Sequence, residues 1–171
     1  MSTHSKILMA FVALIVAVTA GMTVTPSAQE ADAFQGVWRT LEVVVPGGPG
    51  AASRTFRPEA TLAIFHGRHY SRVEVHAEQP RPLLADQTTA SADQLRATWG
   101  PFIGEAGTFE VSGTNMITMQ ATVAKDPAAM QHGATSVYTY RREGDVLTLT
   151  QVRTHAGPSA NPITVKLTRV E

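Results

Sequence analysis

Beyond residue 33 the chain alternates apolar and polar positions in short segments separated by Gly- and Pro-rich breaks. Eight segments, residues 34–45, 59–66, 69–78, 107–112, 116–123, 135–143, 146–154 and 163–170, are rich in the Val, Ile, Thr, Tyr and Phe that suit a pleated surface. The breaks include Pro46-Gly47-Gly48-Pro49-Gly50, Gly67, Gly113-Thr114-Asn115 and Gly144-Asp145. Several are tight enough to demand antiparallel hairpins, and about eight strands in ~140 residues predict an all-β meander closed into a small barrel. One short helix is predicted where Ser91-Ala92-Asp93-Gln94 has the form of a capping box and Gly100-Pro101 imposes a stop. Leu95 and Trp99, four apart, share a face that either covers an opening of the barrel or packs on its surface.

Alternation also assigns faces, because successive strand residues point to opposite sides. Ile163, Val165 and Leu167 set an apolar inner face that carries Arg169 with it, and Leu147 and Leu149 carry Gln151 and Arg153. An inward Trp38 brings Thr40 and Glu42 inside. Val73 and Val75 place His69 and Ser71 inside and leave Arg72, Glu74 and His76 as a solvated face. Tyr138 and Tyr140 share one face of their strand. The resulting interior is apolar over part of its length and polar elsewhere. Because an unpaired ion in a dry cavity is costly, Glu42 and Arg153 are expected to pair with each other, with water or with a ligand.

The amino-terminal pattern is different. A polar start with Lys6 is followed by fourteen uncharged residues, 7–20, and then by small residues, the order of a secretory signal peptide. Cleavage is expected after Ala20 or Ala28, giving a signal over residues 1–28 and a single domain over 34–171. An uncleaved anchor is the competing reading, since residues 7–24 approach the length of a membrane span. With the signal removed, no stable membrane insertion is expected, and the location is secreted or periplasmic.

The 171 residues carry 14 basic and 14 acidic side chains, a balance that argues against nucleic acid as a partner. No cysteine is present, which excludes disulfides, thiolate metal sites and thiol nucleophiles. Five histidines lie beyond the leader, but no third ligand has metal-site spacing beside His66 and His69, so neither a metal nor a cofactor is expected. A Ser71–His69–Glu42 hydrolytic arrangement lacks a strained nucleophile turn and an evident oxyanion hole, so no catalytic set is assigned.

Gly36-Val37-Trp38 on the first strand, Gly107-Thr108-Phe109-Glu110-Val111, Gly144-Asp145-x-Leu147-Thr148-Leu149 and the closing Leu167-Thr168-Arg169-Val170 occur in order along residues 34–171. In these the chain resembles the bacterial lipocalin-like domain, a calycin-type β-barrel. The resemblance implies a closed antiparallel lipocalin-like meander barrel with one short helix. It also implies barrel closure by Gly36, Trp38 and Arg169, with the guanidinium packed across the indole. It further implies a cavity for a small, largely apolar molecule. Thr40 stands where similar domains often carry an aliphatic residue.

The leading expectation is therefore an exported protein that binds a small hydrophobic or amphipathic molecule inside its barrel. The lining is expected from Glu42, His69, Ser71, Tyr138, Tyr140, Gln151 and Arg153. The alternative is a barrel enzyme of the cyclase or isomerase type using His69 or Glu42 as general acid or base. A third reading is a barrel filled by its own side chains that acts through its surface.

Overall fold

The computed structural model describes residues 32–171; the leader read at residues 1–28 lies outside them. The strands are β1 Gly36–Val45, β2 Arg54–Phe56, β3 Ala60–His66 and β4 His69–Val75, then β5 Phe102–Ser112, β6 Met116–Ala124, β7 Ser136–Glu143, β8 Val146–Thr154, β9 Gly157–Pro158 and β10 Thr164–Arg169. A helix, α1 (Ala92–Trp99), precedes β5, and a 3-10 turn, Pro127–Met130, follows β6. The order β10-β1-β3-β4-β5-β6-β7-β8 is antiparallel, and the pairing of β10 with β8 closes it. The eight long strands form the barrel, while β2 and β9 extend β1 and β8 at its margin.

The helix has the expected boundaries. Ser91 accepts from the Gln94 amide and Gln94 returns a bond to the Ser91 amide. None of its residues is buried, so it rides on the barrel rather than plugging it. Trp99 meets Phe102 edge-on at 6.0 Å, and Lys125 Nζ donates to the carbonyls of Trp99, Gly100 and Phe102 at the helix end. Strand β5 starts at Phe102 rather than at 107, because Gly104 and Gly107 masked its first half in the sequence. Gly107 is demanded by packing: a Cβ there would lie 2.0 Å from the Gln120 carbonyl, where a bulge brings β5 and β6 together.

One end of the barrel is an aromatic core. Phe34, Trp38, Phe65, Phe109, Ile117, Leu147 and Leu167 are buried there. Trp38 donates its indole N–H to the Phe34 carbonyl at 2.6 Å. The Arg169 guanidinium lies over the indole, 4.6 Å from the ring centroid, and Trp38 and Arg169 face each other across β1 and β10. Gly36 has φ of +120°, and a Cβ on it would stand 2.5 Å from Arg169 Nη1. The glycine, the tryptophan and the arginine thus form one closure in which each leaves room for the next.

Candidate functional site

Above that core the interior becomes polar along β4. Its inner face is Tyr70, Arg72 and Glu74, opposite Phe65, Ala63 and Thr61 of β3 and Gly107, Glu105 and Ile103 of β5. The assignment of His69 and Ser71 to the interior is corrected: both are exposed, and Val73 is 48% exposed on the same outer face. The register that wins buries Tyr70 against Phe65 and lets Arg72 meet Glu105. Exposing Val73 on the other side does not outweigh those contacts, and Val75 is buried all the same.

Two bulges correct two further assignments. Between Thr40 and Glu42 the β1–β10 register shifts, so that Thr40 remains inside opposite Leu167 while Glu42 turns out opposite Lys166. Glu42 Oε1 and Lys166 Nζ are 2.5 Å apart in a partly exposed pair. On the other side, the β7–β8 register shifts between Val137 and Tyr138; Gln151 faces Tyr138, and Arg153 faces Val137. Arg153 is exposed, so the expected Glu42–Arg153 partnership inside the barrel does not form. Tyr138, Tyr140 and Gln151 do lie inside: Gln151 Nε2 donates to the Tyr138 hydroxyl at 3.3 Å, and Tyr140 meets Phe34 edge-on at 4.7 Å.

The residues that alternation alone places in solvent form the buried polar column. Arg72 Nε donates to Glu105 Oε1 at 2.9 Å, and the Tyr70 hydroxyl donates to the same oxygen at 3.1 Å. Glu74, 3% exposed, accepts from His76 Nε2 at 2.7 Å. Burial pushes the Tyr70 phenol above its ordinary range, Glu105 adds to that, and Arg72 opposes it. Burial also disfavours the charged form of Arg72, but the surrounding Tyr138, Glu74, Glu105 and Tyr70 outweigh it and hold the guanidinium firmly protonated. For Glu74, burial alone would raise the carboxyl. The hydrogen bond from His76, with the charges of Arg72 and His76, outweighs it and holds the group below the usual carboxylate range.

That direction fixes a pH dependence. An unfolded Glu74 takes up a proton in the ordinary range while the folded one does not. The unfolded state therefore binds more protons in the window below that range, and stability falls as pH drops through it. The urea midpoint is expected to fall from neutral pH into this acid window, with a shallower slope in Glu74→Gln. An unchanged slope in that variant would show that other carboxylates set the acid limit.

Four hollows border the column or its strands, one of them a pocket of about 390 Å3 on β4, β5 and β6 whose lining includes Arg72, Phe102, Glu105 and Val123. A cavity of about 10 Å3 beside Tyr70, Glu105, Ser136 and His155 has room for roughly one water. At the barrel mouth a pocket of about 390 Å3 is lined by Arg54, Phe56, His76, Ala77, Glu78 and Gln79. A larger groove, about 610 Å3, runs past Arg39, Leu41, Glu42, Arg57 and Lys166. Its lining is mostly the outward side of the β1 bulge, and it contains no member of the column. The mouth pocket does, through His76, and it alone of these hollows sets that histidine against the aromatic wall of Phe56, which makes it the candidate site. Tyr70-x-Arg72-x-Glu74-x-His76 carried the signal in sequence, a polar face at strand spacing. Its partner Glu105 lay on the half-strand that the glycines concealed. Among the described residues no group of three histidine or carboxylate side chains is placed to hold a metal ion.

The chain matches no protein-family profile and no curated protein. Among solved structures, the crystal structure of Rv2717c from M. tuberculosis aligns with 15% identity over 86% of this chain and 99% of that one, with a TM-score of 0.37. So loose a superposition carries no argument about activity.

Proposed function

We propose that this chain is an exported lipocalin-like barrel that binds a small amphipathic molecule at its mouth, with the apolar part against Phe56 and the polar end at His76. The observation that carries the reading is the mouth pocket of about 390 Å3 set on a buried polar column. Ligand sites of this kind combine an apolar wall with a few fixed polar groups. Phe56 supplies the wall, edge-on to the His76 ring with centroids 6.3 Å apart. Deeper down the barrel is packed with its own aromatic and aliphatic side chains, which favours the mouth over the base as the ligand position. The lipocalin-like assignment is supported by Gly36-Val37-Trp38 with Arg169 across the indole, and export by the leader pattern at residues 1–28.

The test uses 8-anilinonaphthalene-1-sulfonate, an aromatic amphiphile whose fluorescence rises in apolar surroundings. Saturable binding is expected. Phe56→Ala should weaken it by about tenfold, the equivalent of losing part of one aromatic contact. Arg153→Ala, outside the barrel, should leave it unchanged. Equal affinity in the wild type and Phe56→Ala would remove the mouth as the site.

A further inference from the structure

We propose that Glu74 and His76 form a proton-transfer dyad, and that the mouth pocket deprotonates a carbon acid of planar, conjugated carbonyl type. This rests on the mouth pocket being the ligand site and adds a reaction to it.

The geometry is that of an oriented base. His76 Nε2 is committed to Glu74 Oε2 at 2.7 Å, which fixes the tautomer and leaves Nδ1 with the lone pair. Nδ1 has no hydrogen-bond partner among the described residues, and the imidazole lines the pocket with its side chain 23% exposed. Phe56 holds the ring from another direction, and the His76 backbone N–H is tied to the Pro101 carbonyl at 2.9 Å. Glu74 is not a surface partner chosen at random: its side chain is 4% exposed, deeper than any other carboxylate that forms an ion pair among the described residues.

Charge bookkeeping along the column points the same way. Arg72 is one cation against two carboxylates, Glu105 and Glu74. With His76 neutral the column carries one uncompensated negative charge, and a proton taken up by His76 cancels it. The other charged groups lining the pocket are Arg54 from β2 and Glu78 from the segment after β4, paired at 3.0 Å and both well exposed, while Glu59, whose amide bonds the carbonyls of Val75 and Ala77, is paired with Arg81 at 3.7 Å. Arg54 also lies over Phe56, 5.0 Å from the ring centroid, so a positive charge borders the apolar wall where a planar substrate would lie.

In the proposed step, Nδ1 takes the proton from the carbon next to a carbonyl. The C–H pair becomes a C=C bond, the carbonyl π pair moves to oxygen, and the enolate oxygen faces Arg54. The imidazolium then returns the proton to the same carbon or to the far carbon of the conjugated system, giving an isomer. Atoms and electrons balance without an oxidant or co-reactant. His76 is the catalytic residue, and Glu74 is a positioning residue.

The probe is 5-nitrobenzisoxazole, a planar carbon acid. Loss of its ring C–H proton to a base forms a nitrile, breaks the N–O bond and releases a coloured cyanonitrophenolate. The full chain is expected to open it with saturation kinetics. His76→Gln, which keeps an amide donor for Glu74, should slow opening by about a hundredfold, within the usual range for a positioned base. Glu74→Gln should lower kcat with KM unchanged, because the imidazolium formed in the step loses its carboxylate; a merely structural role would not split the two constants in this way. Opening that is unsaturable, or as fast in His76→Gln as in the wild type, overturns the dyad. If 8-anilinonaphthalene-1-sulfonate still binds in that case, the binding reading stands alone. If it does not, both readings fall.

Discussion

Glu105→Ala is expected to lower the free energy of unfolding by about 3–5 kcal/mol, the range for removing one partner of a buried ion pair. Arg72 and Glu105 are 20% and 13% exposed at their side chains, and Glu105 also accepts from the Tyr70 hydroxyl. The loss therefore strands a guanidinium and a phenol together. Glu74 does not replace the missing carboxylate, because its own close contact is to His76. The double change Arg72→Met with Glu105→Leu is expected to recover most of the stability, since the charges are then absent rather than unpaired. Urea denaturation of the two proteins decides the matter. A single-mutant cost below about 1 kcal/mol would put this pair in the class of exposed bridges. Arg68–Glu110, with both side chains some 70% exposed, is such a bridge here.

Why this column was hidden in the sequence is a matter of which interactions a single strand reveals. Barrel closure, the helix and most hairpins follow from local signals: alternation, the Ser91–Gln94 box, and glycines at turns. The inner face of β4 does not. Its polar members become tolerable inside only because Glu105 arrives from β5 and because His76 sits beside Glu74, and neither contact has a counterpart in the alternation of residues 69–78. Glu42 and Arg153 show a second limit. Counting in twos puts each inside, yet each lies just past an extra residue that resets the count. Where no bulge intervened, as from Leu147 to Gln151 or from Leu167 to Arg169, counting in twos located the inward side chains.

Trp38→Ala is expected to cost about 3–5 kcal/mol, the range for emptying a buried aromatic site. Trp38 is fully buried, packed within the aromatic end of the barrel, and its indole N–H satisfies the Phe34 carbonyl. Alanine removes the ring, leaves that carbonyl unpaired and takes away the surface on which Arg169 rests. Nothing else offers Arg169 Nε a partner among the described residues, so the guanidinium loses its main contact when the indole goes. Trp38→Phe separates the contributions: it keeps an aromatic face for Arg169 but forfeits the N–H bond, and is expected to cost about 1–3 kcal/mol. Arg169→Ala alone forfeits the cation–π contact, about 0.5–2 kcal/mol. Because both changes act on one closure, their combined cost in urea unfolding should fall short of the sum of the two single costs. Strict additivity would mean that Arg169 is held by the backbone around Gly36 and Glu171 rather than by the ring, and that the tryptophan closes the barrel by its volume alone.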